Sequence, residues 1–296
     1  MATNRPEKTT TAVVTGAASG IGRSLAIALA RRGHRLHMTD RNPDGLAETR
    51  ATIENEGRGE VVSSHVINIT VLEDVVKWAN RIMDEDGVPD EVYHVAGIAI
   101  WGDPVTMPHE KWKAVIDVNL MGFIHVVEAF VPRLVTGSND NEHGKVGRAS
   151  RRKLVAVSSA AGIIGLPWHA AYSASKGGVN GLCEVLRFDL APRGVDVHVV
   201  APGAVDTPLV STIDIHGVDQ SQPRVARAKG LFQRMAKSPD QAAAAIIQGV
   251  SKHKYLIFTS KDIAFARWAQ VNIPWLYTAI MRGLNKGLRW AAQGSE

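Results

Sequence analysis

The chain alternates between two hydrophobic periods. Residues 10 to 16, TTAVVTG, are a short β-branched run ending in glycine, and RSLAIALARRG a few positions on repeats its apolar residues at helical spacing up to Gly33. The exchange then recurs. HRLHMTD (34 to 40) reads as a strand, 43 to 56 as a polar helix, VVSSHVIN (61 to 68) as a strand, 71 to 85 as a helix and DEVYHVAG (90 to 97) as a strand. Farther on, VAVSSAAG (155 to 162) ends a strand, YSASKGGVNGLCEVLRFDL is helical from Tyr172, and VDVHVVA (195 to 201) is a strand again. Strands separated by helices are joined by crossovers, so they lie parallel and bury both faces under helices. The predicted fold class is α/β, a doubly wound parallel sheet with helices on both faces and a helical C-terminal extension.

The segments that break the pattern set the expected organisation. Residues 1 to 9 are a polar tail, 10 to 260 a single domain, and 261 to 296 an amphipathic extension. The stretch 204 to 238 is polar, broken by proline and only partly periodic, and is expected to form a mobile substrate lid. TGSNDNEHGKVGRASRR (136 to 152) is a polar insertion between a helix and a strand, at the sheet edge opposite a ligand crevice, where disorder or a surface contact is expected.

Composition narrows the class without naming a function. With 296 residues, 45% hydrophobic and 21% charged, the chain has enough apolar surface for one large globular domain. No run approaches 18 uninterrupted apolar residues and no charged-then-apolar leader opens the chain, so neither a membrane span nor a signal peptide is indicated. Cys183 is the single cysteine, which rules out an internal disulfide and fits a buried thiol in a reducing, cytoplasmic setting. The net charge of +5 is spread along the chain, so nucleic acid is not an expected partner. Eleven histidines are scattered; His34 and His37 lack Cys, Asp or Glu at ligand spacing, and no metal site is expected.

Candidate chemistry starts at the first turn. Glycines at 16, 20 and 22, with Ser19 and Ile21 between them, separate a strand from a helix, so backbone amides and the positive end of the helix face whatever binds there, as a pyrophosphate would. Asp40 ends the next strand 18 residues beyond Gly22, where a carboxylate accepts both hydroxyls of an adenosine ribose and repels a 2′-phosphate; the neighbouring Arg41 leaves NADP open as a second choice behind NAD. Tyr172 and Lys176 stand four apart on one helical face, and an ammonium beside a phenol favours the phenolate, which makes a proton acceptor usable nearer neutrality.

Taken in order, TGAASGIG (15 to 22), Asp40, the AG of HVAG (94 to 97), the Asn of DVNLMG (117 to 122), the SS of VAVSSAAG, YSASK (172 to 176) and PGAVDT (202 to 207) resemble the short-chain dehydrogenase/reductase family over residues 10 to about 260, in its single-domain, Rossmann-like form. The resemblance implies a tetrad of Asn119, Ser159, Tyr172 and Lys176, the serine chosen over Ser158 because it lies 13 residues before the tyrosine. It implies dinucleotide contacts from Gly16, Ser19, Gly20, Ile21, Gly22, Asp40, Arg41, Asn68, Ile69, Ala96, Gly97, Tyr172, Lys176, Pro202, Gly203, Val205 and Thr207. In that scheme Tyr172 moves the alcohol proton, Ser159 holds the substrate oxygen, Lys176 holds the nicotinamide ribose and, with the positive ring of the oxidised cofactor, lowers the tyrosine pKa, and Asn119 helps order a water leading from Lys176 to solvent. Two positions depart from the pattern: His94 and Val95 replace the usual pair of asparagines, so the bonds those would supply are lost or replaced, and Asn68 stands where an aspartate is usual.

The implied activity is NAD(P)-dependent interconversion of a secondary alcohol and a ketone. Ile100, Trp101, Ile163, Leu166, Trp168 and Leu209 follow strand ends and would wall a pocket for a hydrophobic substrate such as a steroid, retinoid or aliphatic alcohol; the alternative is that the tryptophans cap the core or a subunit contact. The competing functions are an NADPH-dependent 3-oxoacyl thioester reductase and a non-catalytic dinucleotide-binding sensor. Family resemblance also implies a homodimer or homotetramer through the helices of Asn119 and Tyr172. After Pro274, Leu276, Ile280, Leu284 and Leu288 form a stripe with Arg282, Lys286 and Arg289 elsewhere on the helix; it is expected to pack on its own domain or a partner subunit, with peripheral membrane contact as the alternative.

Overall fold

The computed structural model describes residues 9–136, 151–211, 213–218, 222, 225 and 236–292. Residues 1–8 of the expected tail, 137–150 of the expected insertion and most of 219–235 in the expected lid lie outside them. Seven strands form one parallel sheet in the order β3-β2-β1-β4-β6-β7-β9, built from β1 (Thr11–Thr15), β2 (Arg35–Asp40), β3 (Glu60–Val66), β4 (Glu91–His94), β6 (Arg152–Val157), β7 (Val195–Ala201) and β9 (Leu256–Phe258). β5 (Ile100–Gly102) and β8 (Asp214–His216) pair as a separate parallel ribbon.

Helices cover both faces, as the alternating pattern requires. On one face α1 (Gly20–Ala30), α2 (Pro43–Glu56) and α8 (Pro239–Ser251) bury Leu25, Leu29, Ile53 and Ile246 against Leu36 and Met38. On the other, α3 (Leu72–Glu85), α5 (Gly122–Thr136) and α6 (Ala170–Leu190) bury Trp78, Phe130 and Val179 against Val92 and Leu154. Cys183 lies in this second core, and burial pushes its thiol up to about 12, so it is a packing residue. His109–Val135, which includes α4 (His109–Ile116), is long and apolar enough by composition to cross a membrane; here its apolar side packs into the same core through Phe123, Val126 and Phe130.

Local chemistry explains where elements begin. Asn42 caps α2 by accepting from the Gly45 amide at 3.2 Å, Pro43 supplies the first helical residue, and Gly57 ends the helix at φ 62°. Ser238 and Gln241 form a reciprocal capping box at the start of α8.

The strand order reverses direction at β1 and β4, which opens a crevice beyond their carboxyl ends. His94 occupies the end of β4, and Thr15 replaces the missing asparagine bonds around it. The Thr15 hydroxyl oxygen accepts from the amides of Val95 (3.1 Å) and Ala96 (3.2 Å), which leaves its own proton to be donated to His94 Nδ1 at 3.2 Å. Burial, aided by the charge of Lys176, holds the His94 pKa at about 3, so this imidazole is neutral and acts as an acceptor. Thr15→Val would orphan two amides and the ring nitrogen in a dry site. The expected cost is about 2–4 kcal/mol of unfolding free energy, read by denaturant titration, against about zero for a serine at the same position.

The C-terminal extension is two helices, α9 (Lys261–Asn272) and α10 (Pro274–Ala292), and none of their described residues is buried. Of the stripe expected to pack on its own domain or a partner subunit, Leu276 and Leu288 are half-buried while Ile280 and Leu284 are exposed, so its own domain covers it only in part. What docks the extension is its start and one tyrosine. A side chain on Gly203 would meet Ile263 at 3.0 Å, and Tyr277 donates its hydroxyl to Gly165 O at 2.7 Å.

Candidate active site

Four chain segments meet at the carboxyl ends of β1, β4 and β6. The first is the glycine turn. Gly16 has φ +73°, and a Cβ there would stand 2.7 Å from the Ala96 amide nitrogen, so only glycine lets the turn after β1 touch the loop after β4. Ser19 is the N-cap of α1, exposed, with no bond from its side chain to the helix. A Cβ on Gly20 would stand 3.0 Å from the Thr207 side chain, so the loop after β7 lies over the turn; Ile21 packs toward the core, and a Cβ on the buried Gly22 would stand 1.9 Å from Gly16 O.

Asp40 closes the adenosine side. Its Oδ2 accepts from Ala18 N and its Oδ1 from Asn42 N, both at 3.0 Å, so the carboxylate is fixed at the end of β2 against the glycine turn. Arg41 is exposed beside it. Arg23, which the sequence reading did not single out, latches the turn from the other side by donating to Ala18 O at 2.6 and 3.0 Å. Asn68 is exposed, with its Oδ1 bound by the amide and hydroxyl of Thr70 (3.1 and 2.9 Å), and Ile69 is buried under Gly122.

The reactive groups stand at the other end of the crevice. Ser159 follows β6, caps a short 3-10 turn by accepting from Ala161 N at 3.1 Å, and lies near enough to Tyr172 to pull its pKa down. Tyr172 keeps part of its surface open to the cleft; Lys176, one turn farther along α6, is 3% exposed and donates to Val157 O at 2.9 Å. Ser158 is not in the cleft: it is buried and donates to Lys176 O at 3.0 Å, which separates the two adjacent serines into a structural one and an available one. A Cβ on Gly97 would come within 3.0 Å of Asn119 Oδ1 and 3.2 Å of Lys176 Nζ, so this glycine is the approach that lets three segments converge.

Asn119 lies in a π-helical turn, Asp117–Met121, between α4 and α5. Its Oδ1 accepts from Ile98 N at 2.8 Å, and its Nδ2 donates to Ile98 O and Ser175 Oγ at 2.9 and 3.0 Å. Both amide protons are thus committed to protein, and the side chain acts as a clamp on the Gly97–Ile98 loop. The expectation that the ammonium lowers the tyrosine pKa also changes sign in the protein by itself. Burial raises Tyr172, with Ser159 pulling it part of the way back, and burial lowers Lys176 to about 8. Taking a cation and a phenol out of water penalises both charged forms.

Beyond the tetrad positions, Pro202 is buried and accepts from Ala160 N at 2.8 Å, Gly203 lies against α9, and Val205 is buried and bridges to Lys237. Thr207 is buried, Leu209 exposed. Among the expected pocket residues, Ile100 and Trp101 belong to the β5 strand and Trp168 O accepts from Gly102 N at 2.9 Å, which ties that ribbon to the entrance of α6. His169 was missed: its ring lies 4.1 Å from Trp101 and 6.5 Å from Tyr172, and burial lowers it to about 4, so it is neutral beside the phenol. Nothing in its spacing marks it apart from its place three residues before Tyr172. A concavity of about 480 Å³ lined by Arg151, Arg187, Asp196 and His253 lies at the amino-terminal end of β7, at the far edge of the sheet, and includes none of these residues.

A positive-φ glycine turn without side chains, a free serine at a helix N-terminus and a fixed carboxylate at the end of β2 fit a dinucleotide, and the hydroxyl pair beside a buried lysine fits proton transfer. Fold and site together define a Rossmann-like dinucleotide-binding domain. A family profile described as short chain dehydrogenase matches residues 10–216, and the chain belongs to the short-chain dehydrogenase/reductase family. A 1-deoxy-11-beta-hydroxypentalenate dehydrogenase of Streptomyces avermitilis is 34% identical over 274 residues, 91% of each chain. The chain spans 39% of the length of other curated relatives, to which it is 34% identical over 245 residues. Among solved structures, a Burkholderia phymatum short-chain dehydrogenase/reductase in complex with NAD superposes with TM-score 0.76 at 23% identity, covering 90% of this chain and 95% of that one. A Sphingobium yanoikuyae short-chain dehydrogenase in complex with NADPH gives 0.71 at 25%, covering 89% and 92%.

Proposed function

We propose that the protein interconverts a hydrophobic secondary alcohol and its ketone, with NAD preferred over NADP. The observation that carries this reading is the placement of the Ser159 and Tyr172 hydroxyls together, one helical turn from the buried ammonium of Lys176, at the carboxyl end of β6. The dinucleotide supplies the hydride acceptor for oxidation and the hydride donor for reduction. In oxidation the Tyr172 oxygen takes the hydroxyl proton of the substrate, and in reduction it returns one to the carbonyl oxygen. Ser159 donates to the same substrate oxygen and stabilises the charge that develops there. Lys176 holds ribose hydroxyls of the cofactor, and its charge opposes the desolvation that keeps Tyr172 protonated. Asn119 holds the Gly97–Ile98 loop at the distance this arrangement needs.

Substrate class rests on the wall of the cleft. Trp101, Trp168 and Ile100 present apolar surface, and the neutral His169 adds a ring without adding charge. A relative named as a dehydrogenase of a hydroxypentalenate supports a hydroxyl-bearing substrate with a carbon skeleton to bury. A cytoplasmic setting is supported by the lone buried thiol, and assembly into a homodimer or homotetramer by Val185 and Phe188, which are 57% and 62% exposed on the helix that carries Tyr172.

The cofactor preference is tested by titrating nicotinamide fluorescence with NADH and NADPH. NADH is expected to bind at least tenfold tighter, a difference of ~1.4 kcal/mol. Asp40→Ala should weaken NADH by roughly tenfold or more and leave NADPH unchanged or improved, because a carboxylate that accepts from ribose hydroxyls repels a phosphate in their place. Tighter binding of NADPH to the unaltered protein would contradict the assignment of Asp40 and favour the thioester reductase.

A further inference from the structure

The C-terminal helices present large apolar side chains that are exposed among the described residues. Phe265, Trp268, Val271, Trp275, Ile280 and Trp290 are each at least half exposed, Trp275 at 72%, and they include three of the chain's seven tryptophans. Phe265 and Trp268 stack on each other with ring centroids 5.7 Å apart, a contact made on the surface and not in a core. Scattered apolar residues are ordinary on a protein surface; this many large ones on two consecutive helices are not.

Charge identifies the occupant. Residues 261–292 carry five basic residues (Lys261, Arg267, Arg282, Lys286, Arg289) and one acidic residue (Asp262), five less one giving +4 of the chain's net +5. On α10, Arg282, Lys286 and Arg289 stand at i, i+4 and i+7 and share one edge of the helix. Trp275, seven residues before Arg282, and Trp290, four after Lys286, lie along that same edge. Leu276, Ile280 and Leu284 lie across the helix from that edge, on the side of Tyr277, which docks on the domain. A basic edge carrying tryptophans matches the surface of an anionic bilayer, where phosphates meet the cations and indoles settle in the interfacial zone. A second copy of this chain would bring the same positive charge against itself.

We infer that α9 and α10 form a docking surface for an anionic lipid bilayer. The surface is continuous with the cleft, because Ile263 of α9 packs on Gly203 and Tyr277 of α10 holds Gly165, in the loop between Ser159 and Tyr172. Docking would place the bilayer near the loops of Gly165 and Gly203, and it does not depend on the function proposed above.

The test is flotation of the full chain with vesicles of phosphatidylcholine alone or with phosphatidylglycerol added, at low and high salt. The protein is expected to float with the anionic vesicles, at least tenfold more than with neutral ones, and to be released by salt. Two double variants, Trp268→Glu with Trp275→Glu and Arg282→Glu with Lys286→Glu, should each lower that binding at least tenfold while keeping the circular dichroism spectrum and NADH affinity of the parent. Flotation that ignores vesicle charge, or its absence, would overturn the proposal. A parent dimer that the tryptophan variant converts to monomer, with no vesicle binding in either, would overturn it in favour of a contact between copies.

Discussion

Tyr172→Phe is expected to lower kcat roughly a thousandfold while leaving NADH affinity within about twofold of the parent. The general acid–base step contributes about 10²–10⁴ in rate, and the phenol oxygen is the group placed to carry it. Removing one oxygen atom opens little space, and phenylalanine keeps the ring that packs against Met107, Val115 and Ala171, so folding should survive. The parent should also carry a pH signature. Burial raises the Tyr172 pKa above its ordinary value of 10.0, so the phenolate fraction grows tenfold for each pH step through the neutral and mildly alkaline range. Oxidation by the unaltered protein should rise with pH there, reduction should stay flat, and neither trend should remain in the variant. A residual pH-dependent rate in Tyr172→Phe would assign the proton to another group, with His169 the nearest ring.

Lys176→Met should abolish turnover to a similar degree and yet stabilise the fold. The folded-state pKa of Lys176 is about 8, against an ordinary 10.5, because burial penalises the ammonium. Below pH 8 both folded and unfolded chains hold the proton, and the folded state bears the whole desolvation cost. Between 8 and 10.5 the folded lysine releases its proton while the unfolded one keeps it, so the unfolded chain binds more protons and stability rises with pH. That gap corresponds to about 3 kcal/mol. The Lys176 ammonium also satisfies Val157 O, and losing that bond returns about 1 kcal/mol, so the variant should be more stable by about 2 kcal/mol at pH 7. The difference between variant and parent in chemical denaturation should shrink as pH approaches 10.5. A lysine kept only for structure would give the opposite result, a less stable variant. Stability gained where activity is lost is the mark of a charge buried for chemistry.

The frame of this fold was legible because it is written in periods. The polar helix at 43 to 56 appears at those residues, since Asn42, Pro43 and Gly57 state both of its ends locally. The order of the glycine turn, Asp40 and the Tyr172–Lys176 pair placed the crevice, because each depends on a few neighbouring residues. What escaped depended on partners distant in sequence. Thr15 and His94 exchange bonds across 79 residues, and Asn119 clamps Ile98 and Ser175 across 21 and 56. Those pairings exist only once the sheet is assembled, so neither residue type nor spacing announces them. Charge proximity is visible in a four-residue spacing, whereas the depth at which the pair is buried, which in the protein alone raises Tyr172, is not. The stripe on α10 is amphipathic as its spacing predicts, but amphipathicity does not say what meets the apolar face, and the domain covers only part of it.

The account stands most directly on turnover. The purified protein should form reduced nicotinamide when given NAD and hydrophobic secondary alcohols, followed by absorbance, with the largest rates for bulky apolar or ring-containing substrates and no rate in Tyr172→Phe. Tight NADH binding without turnover of any alcohol or ketone, in either direction, would contradict it and leave a dinucleotide-binding sensor in its place.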